Sequence, residues 1–155
     1  MKTIYIFLAL AAGCISASFS QTIALGDDGL YYTQNNELYT GVYTDYYNNG
    51  QVKLEATLQD GKADGKTVYF YENGNKKEVR SYKDGKFDGT WYSWDENGVK
   101  TAKVSYKNGL KDGEWLIWDD NGEKRFEMHY KDGEKTGTWF MWDENGRLTM
   151  ERNYD

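Results

Sequence analysis

Residues 89–112 read GTWYSWDENGVKTAKVSYKNGLKD, and residues 113–136 repeat that pattern as GEWLIWDDNGEKRFEMHYKDGEKT. The same step of 24 residues is kept by all six tryptophans and by three series of glycines. The glycine series are Gly41, Gly65, Gly89, Gly113 and Gly137; Gly50, Gly74, Gly98, Gly122 and Gly146; and Gly61, Gly85, Gly109 and Gly133. Self-similarity at a fixed period indicates a repeat architecture. The chain therefore divides into five units without gaps, residues 36–59, 60–83, 84–107, 108–131 and 132–155.

Each unit predicts a β-hairpin. Its second run, such as residues 123–131, alternates apolar side chains with charged or polar ones, which is typical of a strand with one exposed face. Its first run lies between glycines only nine positions apart, Gly89 and Gly98, and is too short for a helix stable on its own. Trp91 and Trp94 should then point to opposite faces of a strand. We predict an all-β fold, a single-layer antiparallel array of five hairpins with about ten strands.

The turn between the two strands leaves the identity of the packed face open. DENG at residues 95–98 suits a type I turn completed by a glycine bulge, which would place Trp94 on the face of Val104. A two-residue Asn97-Gly98 turn would reverse the two faces.

Recurrence provides a second argument about the faces. The position of Trp94 is aromatic in every unit, whereas that of Trp91 admits Thr67, and a core position should vary less. We therefore predict that the Trp94 series is packed and that the Trp91 series is half exposed. The Trp94 series consists of Tyr46, Phe70, Trp94, Trp118 and Trp142.

The half-exposed series supplies the predicted binding surface. It forms an aromatic stripe bordered by charged residues that include Glu127 and His129. Each ring presents on the order of 150–250 Å², so the stripe exceeds what a monomer usually leaves open. We expect it to dock another protein or a glycan, the alternative being that the rings pack on one another and on Lys and Arg stems. The predicted binding residues are Trp91, Trp115, Trp139, Tyr43, Ile117, Met141 and Lys103.

The N-terminal residues indicate export. Residues 1–20 combine Lys2, a short apolar run and small residues, the pattern of a signal peptide cleaved after Ser20. The alternative is a lipid anchor at Cys14, within AAGC. Either interpretation places the protein in the cell envelope, in the periplasm or outside the cell. Residues 21–35 are interpreted as an N-terminal cap, with Leu30 and Tyr32 on a capping strand; at the other end, the charged residues Glu151, Arg152 and Asp155 are expected to protect the open sheet edge.

Composition excludes several functions. Removal of Lys2 with the signal leaves 18 of the 19 basic residues against 25 acidic ones, a net charge of −7. Such a balance argues against nucleic acid or an anionic membrane as a partner. The one cysteine, Cys14, belongs to the signal, so the mature chain should contain no disulfide, thiol nucleophile or cysteine metal site.

Two kinds of residue could be mistaken for catalytic groups. The acid pairs Asp95-Glu96, Asp119-Asp120 and Asp143-Glu144 precede Asn-Gly and lack the further ligands of a calcium loop. We interpret them as turn residues. His129 is the only histidine and lacks the partners of a triad or zinc site. We therefore predict no catalytic residue, metal or cofactor, and a protein that is not an enzyme.

The run YKNGLKDGEWLIWDDNG at residues 106–122 resembles the MORN repeat variant family, and the resemblance extends over residues 36–155. It implies a β-hairpin repeat fold and protein contacts, with no catalytic residues. Many relatives are catalogued as antitoxins of the YwqK type. Three functions follow as expectations: a protein-interaction or scaffold module of the cell envelope, a glycan-binding protein, and an antitoxin that neutralises a protein toxin.

Overall fold

The computed structural model describes residues 22–155. All regular secondary structure in that range is β-strand. Two short strands, Ala24–Leu25 (β1) and Tyr31–Tyr32 (β2), form a separate hairpin. No helix in the described range is long and apolar enough to cross a membrane. The predicted signal peptide of residues 1–20, its cleavage after Ser20 and the alternative lipid anchor at Cys14 lie outside the described residues.

The remaining twelve strands form one antiparallel sheet, which confirms the predicted all-β array of hairpins. The five hairpins are Gly41–Tyr46 (β3) with Val52–Gln59 (β4), Lys62–Phe70 (β5) with Lys76–Lys83 (β6), Gly89–Trp94 (β8) with Lys100–Lys107 (β9), Gly113–Trp118 (β11) with Lys124–Lys131 (β12), and Glu134–Trp142 (β13) with Leu148–Asn153 (β14). Two short strands, Lys86–Phe87 (β7) and Leu110–Lys111 (β10), pair with β6 and β9. Neighbouring hairpins lie side by side in chain order.

Two kinds of turn alternate along the sheet. Within a hairpin, the N–H of Gly98 donates to the carbonyl oxygen of Asp95 at 3.1 Å, and the N–H of Asp95 donates to that of Val99 at 2.9 Å. This is the type I turn with its glycine bulge, the first of the two alternatives that the sequence left open. Between hairpins, Asp84 and Gly85 both have left-handed backbones, with φ of 50° and 76°, as a two-residue type I′ turn requires.

The turns between hairpins are bonded to one another across the sheet. The N–H of Gly85 donates to the carbonyl oxygen of Ala63 at 2.8 Å, and the N–H of Gly109 donates to that of Phe87 at 2.7 Å. Each acceptor lies 22 positions before its donor, so every such turn is anchored on the hairpin that precedes it. Gly61 and Gly133 make the same bond.

A second bulge, next to the first, determines which side chains share a face. Trp94 pairs with Lys100, but Ser93 pairs with Ala102, so the second strand carries one extra residue there. The same irregularity occurs at the equivalent place in all five hairpins. Because side chains alternate along a strand, this one-residue shift exchanges the two faces relative to the turn alone.

The shift places Trp91 opposite Val104, so the Trp91 series lies on the packed side of the sheet. We call this side the ladder face. The five most buried side chains all lie on it: Leu58 at 2 % exposure, Ala56 and Thr67 at 4 %, Trp139 at 7 % and Val104 at 9 %. The prediction that the Trp94 series is packed is wrong, and Tyr46 of that series is 58 % exposed. We call its side the open face.

The N-terminal segment covers the first ring of the ladder face. The ring of Tyr31 lies 5.0 Å from that of Tyr43, and the N–H of Tyr31 donates to the carbonyl oxygen of Gly61 at 2.9 Å. Tyr32, which the sequence suggested for this cap, instead donates its hydroxyl to Asp28 at 2.7 Å. The segment therefore contacts the sheet through Tyr31, and the side chains of Leu30 and Leu38 lie beside Gly61.

Candidate binding surface

The ladder face carries a continuous line of alternating tyrosine and tryptophan rings. Each ring contacts the next at a centroid distance typical of aromatic pairs. The successive distances are 6.2 Å for Tyr82–Trp91, 4.8 Å for Trp91–Tyr106, 5.3 Å for Tyr106–Trp115, 5.2 Å for Trp115–Tyr130, 5.1 Å for Tyr130–Trp139 and 4.7 Å for Trp139–Tyr154. The faces of these rings are therefore largely occupied by one another.

The polar groups of these tryptophans are occupied as well. The indole N–H of Trp91, Trp115 and Trp139 donates to the backbone carbonyl oxygen of the residue ten positions earlier, at 3.3, 2.9 and 3.0 Å. The local backbone favours this bond, since the connection between hairpins bulges beside that carbonyl. On β13, for example, residues 137–139 lie opposite the single residue Met128 of β12.

A residue at the start of each hairpin covers each of these indoles. The ring of Phe87 meets that of Trp91 edge-on at 4.3 Å. In the next two repeats the equivalent residues are lysines, whose Nζ atoms lie 4.3 Å from the ring of Trp115 and 4.5 Å from that of Trp139. These contacts match the alternative stated above, in which the rings pack on one another and on lysine side chains.

The other predicted binding residues divide between the two faces. Ile117 and Met141 lie on the ladder face, where both are register partners of Phe126. Lys103 lies on the open face, where its Nζ is 2.8 Å from a carboxylate oxygen of Glu114. The structure therefore does not bring Lys103 together with the Trp91 series, although a binding role for each residue stays a prediction.

Glu127 and His129 also lie on the open face and do not border the ladder. The strand register places them on this face, since Glu127 pairs with Phe140 of β13. His129 Nε2 is 3.7 Å from a carboxylate oxygen of Glu127. The predicted charged border thus belongs to the other surface, because the second bulge exchanges the faces.

Near the hairpin turns, the open face carries a row in which lysine and tryptophan alternate. Trp94 pairs with Lys100, and Trp118 pairs with Lys124. The order of the strands continues this alternation across the sheet. We call it the Trp/Lys row, and its members are Lys76, Trp94, Lys100, Trp118, Lys124 and Trp142. The lysines keep the 24-residue step, although the only lysine among the predicted binding residues was Lys103, which is not in the row.

Two shallow clefts along this row are equivalent. One, of about 280 Å³, is lined by Asn75, Lys76, Trp94 and Gly98. The other, of about 290 Å³, is lined by the residues 24 positions later, Val99, Lys100, Trp118 and Gly122. At the equivalent position 24 residues further on, Lys124 Nζ lies 4.6 Å from the centre of the Trp142 ring. The row therefore presents one tryptophan and one lysine in each of the two repeats at residues 84–107 and 108–131.

The indoles of the row differ from those of the ladder in their hydrogen bonds. Within residues 22–155, the indole N–H of Trp94, Trp118 and Trp142 donates to no protein acceptor, and none of the three is a buried unsatisfied group. The rings of Trp94 and Trp142 stack on those of Tyr92 and Phe140, at 5.9 and 5.8 Å between centroids. The row thus offers water-accessible donors beside flat apolar rings.

A second line of open-face residues runs beside the row and alternates apolar and charged side chains. Tyr92, Lys103, Leu116, Glu127 and Phe140 are successive register partners. The hydrogen bond that Lys103 donates to Glu114 raises the pKa of Lys103, and the one that Lys124 donates to Glu127 lowers the pKa of Glu127. These pairs remain partly exposed, so each contributes at most about 1 kcal/mol and is open to exchange with a partner's charges.

The acid pairs before Asn-Gly serve the turns, as predicted. A carboxylate oxygen of Asp95 accepts from the N–H groups of Asn97 and Val99 at 2.9 and 2.8 Å. Asp119 and Asp143 make the same two contacts. Among residues 22–155 no three His, Cys, Asp or Glu side chains are grouped so that they could hold a metal ion.

A further cavity, of about 500 Å³, lies among the turns of the first repeats. It is lined by Tyr47, Tyr71, Glu72, Asn73, Lys77 and Glu96. The hydroxyls of Tyr47 and Tyr71 already donate to backbone carbonyl oxygens of the next hairpin, at 2.7 and 2.9 Å. Its tyrosines therefore connect neighbouring turns.

Comparison with protein families gives a match. The MORN repeat variant pattern is found five times, at residues 39–60, 63–84, 87–108, 111–132 and 135–155. These matches begin three residues later than the units assigned above and keep the same period. No curated protein matches the chain.

Proposed function

The chain belongs to the MORN repeat variant family, and we propose that it is a non-enzymatic protein-interaction module that binds its partner through the Trp/Lys row. Repeats of this family are often protein-interaction modules. One observation supports this surface: Trp94, Trp118 and Trp142 keep indole donors that no acceptor in residues 22–155 uses.

The contrast between the two faces supports the choice of surface. The ladder tryptophans use their ring faces and their N–H groups within the sheet. In the row tryptophans, the ring faces and the N–H groups are both partly available to a partner. Tryptophan is among the residues that contribute most to binding energy at protein interfaces. A partner that covered Trp118 would remove apolar area from water without breaking a bond of the fold.

Capture of a partner tests this proposal. The immobilised chain is incubated with extract of the cells that produce it, and the retained material is treated with protease. We expect a retained protein that Trp118→Ala loses and Val42→Ala keeps, since Val42 is an open-face residue, 56 % exposed, away from the row. Retention that survives Trp118→Ala, or material that resists protease, would contradict it.

We also propose that the protein is exported to the cell envelope, because residues 1–20 have the pattern of a signal peptide. N-terminal sequencing of the protein from its native cells tests this. A mature chain that begins at Gln21 supports secretion, and one that begins at a lipidated Cys14 supports an anchored form. A chain that keeps Met1 would contradict export and favour the antitoxin alternative.

A further inference from the structure

The clefts of the Trp/Lys row recur at the spacing of one hairpin. Trp94 on β8 and Trp118 on β11 are separated by the single strand β9. Neighbouring strands lie about 4.8 Å apart, so successive clefts lie about 9.6 Å apart. A ligand that fills them together must present the same group at that interval and on one side.

Among regular peptide conformations, polyproline II fits this interval best. It has three residues per turn and a rise of about 3.1 Å, so every third side chain returns to the same side after about 9.3 Å. In an extended strand, residues three apart point to opposite sides. In an α-helix the carbonyl groups are bonded internally, which leaves few acceptors for the indole donors of the row.

The polar groups of the row also suit such a segment. The ammonium of lysine and the indole N–H of tryptophan donate hydrogen bonds and accept none. A polyproline II segment has solvated carbonyl groups, and each proline lacks an N–H that would need an acceptor. A glycan would bring hydroxyl groups that donate as well as accept. The donors of the row therefore match a proline-rich peptide better than a sugar.

The lysines add a preference for charge. In residues 22–155, Lys76 and Lys100 have no carboxylate within salt-bridge distance, and both are exposed. Each lies beside the tryptophan of its cleft. A carboxylate on each turn of the ligand would meet one ammonium in each cleft, and such pairs contribute to selection among partners.

We propose that the Trp/Lys row binds an acidic, proline-rich segment of a partner protein in the polyproline II conformation. One proline stacks on each of Trp94 and Trp118, and one carboxylate lies beside each of Lys76 and Lys100. This inference rests on the proposed function, since it specifies the chemical class of the partner segment. Aromatic-lined grooves are a general means of binding such segments.

Fluorescence anisotropy with the full chain and a labelled peptide of repeated Pro-Pro-Glu triplets tests the inference. We expect binding that weakens roughly tenfold with Trp118→Ala, as removal of an anchor ring costs more than about 1 kcal/mol. Lys100→Gln should weaken it a few-fold and reduce its salt dependence, while Val42→Ala should leave it unchanged. Urea unfolding of each variant verifies that the chain is folded.

Two control peptides distinguish the determinants. Repeated Pro-Pro-Lys keeps the conformation and reverses the charge, and repeated Gly-Ser-Glu keeps the charge without the polyproline II preference. Weak binding of both supports the inference. Binding of either as tightly as Pro-Pro-Glu would overturn it, as would failure of Pro-Pro-Glu to bind. Binding of an N-acetylglucosamine oligomer that Trp118→Ala abolishes, with no binding of Pro-Pro-Glu, would assign the row to a glycan instead.

The two proposals fail in different ways. If extract yields a protein whose retention needs Trp118 while Pro-Pro-Glu does not bind, the peptide class is wrong and the protein-interaction role stands. If no protein is retained in the extract experiment, the proposed function itself is wrong.

Discussion

The indole N–H of Trp115 donates to the carbonyl oxygen of Ser105 at 2.9 Å, and the backbone N–H of Asp112 donates to the same oxygen at 3.1 Å. Trp118, three residues further along the same strand, has no such acceptor in the described range. On this one strand, Trp115 is hydrogen-bonded at the connection between hairpins, whereas Trp118 lies on the open face.

Replacement of each tryptophan by phenylalanine tests whether only Trp115 contributes its indole hydrogen bond to stability. Trp115→Phe keeps an aromatic ring but removes the donor, and we expect a loss of about 1 kcal/mol in the free energy of unfolding. Trp118→Phe makes the same chemical change on the open face and should alter stability by less than about 0.5 kcal/mol. Urea unfolding measures both, and equal losses would contradict the assignment of the faces.

Indole exchange tests the same assignment without mutation. The ¹H–¹⁵N spectrum should show six indole signals, of which those of Trp91, Trp115 and Trp139 exchange slowly with solvent because their protons are hydrogen-bonded within the sheet. The signals of Trp94, Trp118 and Trp142 should exchange quickly. Slow exchange of the second group in the isolated chain would show that the open face is already covered.

Glycine at the connection between hairpins is required for two reasons, which predicts a severe effect of Gly89→Ala. Gly89 has φ of 102°, and a Cβ there would lie 3.1 Å from the Cβ of Ser81. Gly98 also has positive φ, 86°, but a Cβ there would meet nothing within 4 Å. Both substitutions strain the backbone, so Gly89→Ala should be more destabilising than Gly98→Ala by about 1 kcal/mol. Thermal unfolding compares them, and equal losses would exclude the close approach as a cause.

Acid should weaken the contacts between Asp112 and the turn that begins at Lys131. The hydrogen bond from Lys131, at 2.8 Å, and that from the N–H of Asp132 lower the pKa of Asp112 below its ordinary value of 3.8. A carboxyl with a lower pKa in the folded state stabilises the protein above pH 3.8, and that contribution disappears as pH falls through the folded pKa. Asp112→Asn should therefore destabilise the chain at neutral pH, and its deficit should shrink under acid.

Lys131→Gln provides the matched variant for this effect. It removes the main cause of the lowered pKa of Asp112. In the Lys131→Gln background, the loss of stability caused by Asp112→Asn should therefore depend less on pH. Urea midpoints between pH 7 and pH 3 measure it. A deficit that does not change with pH would show that the carboxyl charge contributes nothing to stability.

The repeat period and the turn residues were sufficient to predict the fold. Glycine at a fixed step favours tight turns between strands, and the structure confirms the hairpins; of the two turns that the sequence left open at residues 95–98, it has the type I turn. The face of each strand was not predictable in the same way. The face depends on a second bulge next to Lys100. Lysine has no marked preference for a bulge, so the residue at this position does not indicate one.

The recurrence argument failed for a physical reason. Thr67 breaks the aromatic series yet is 4 % exposed, because it lies on the ladder face opposite Ala56 and Arg80 of the two neighbouring strands. Tyr46 belongs to the series that is always aromatic, yet it is 58 % exposed. Where a sheet has a single layer, a large ring at a recurrent position does not identify the core, since either face can carry it.

The bond from Gly85 to Ala63, and its equivalents in later repeats, has a consequence for how such a chain evolves. Every hairpin supplies a ready acceptor for the hairpin that follows, so an in-frame duplication of one repeat in the gene would meet a complementary neighbour on both sides. The new copy would also carry its own tryptophan and lysine. Recombination could therefore lengthen the contact surface stepwise, with no need to redesign the remainder of the molecule.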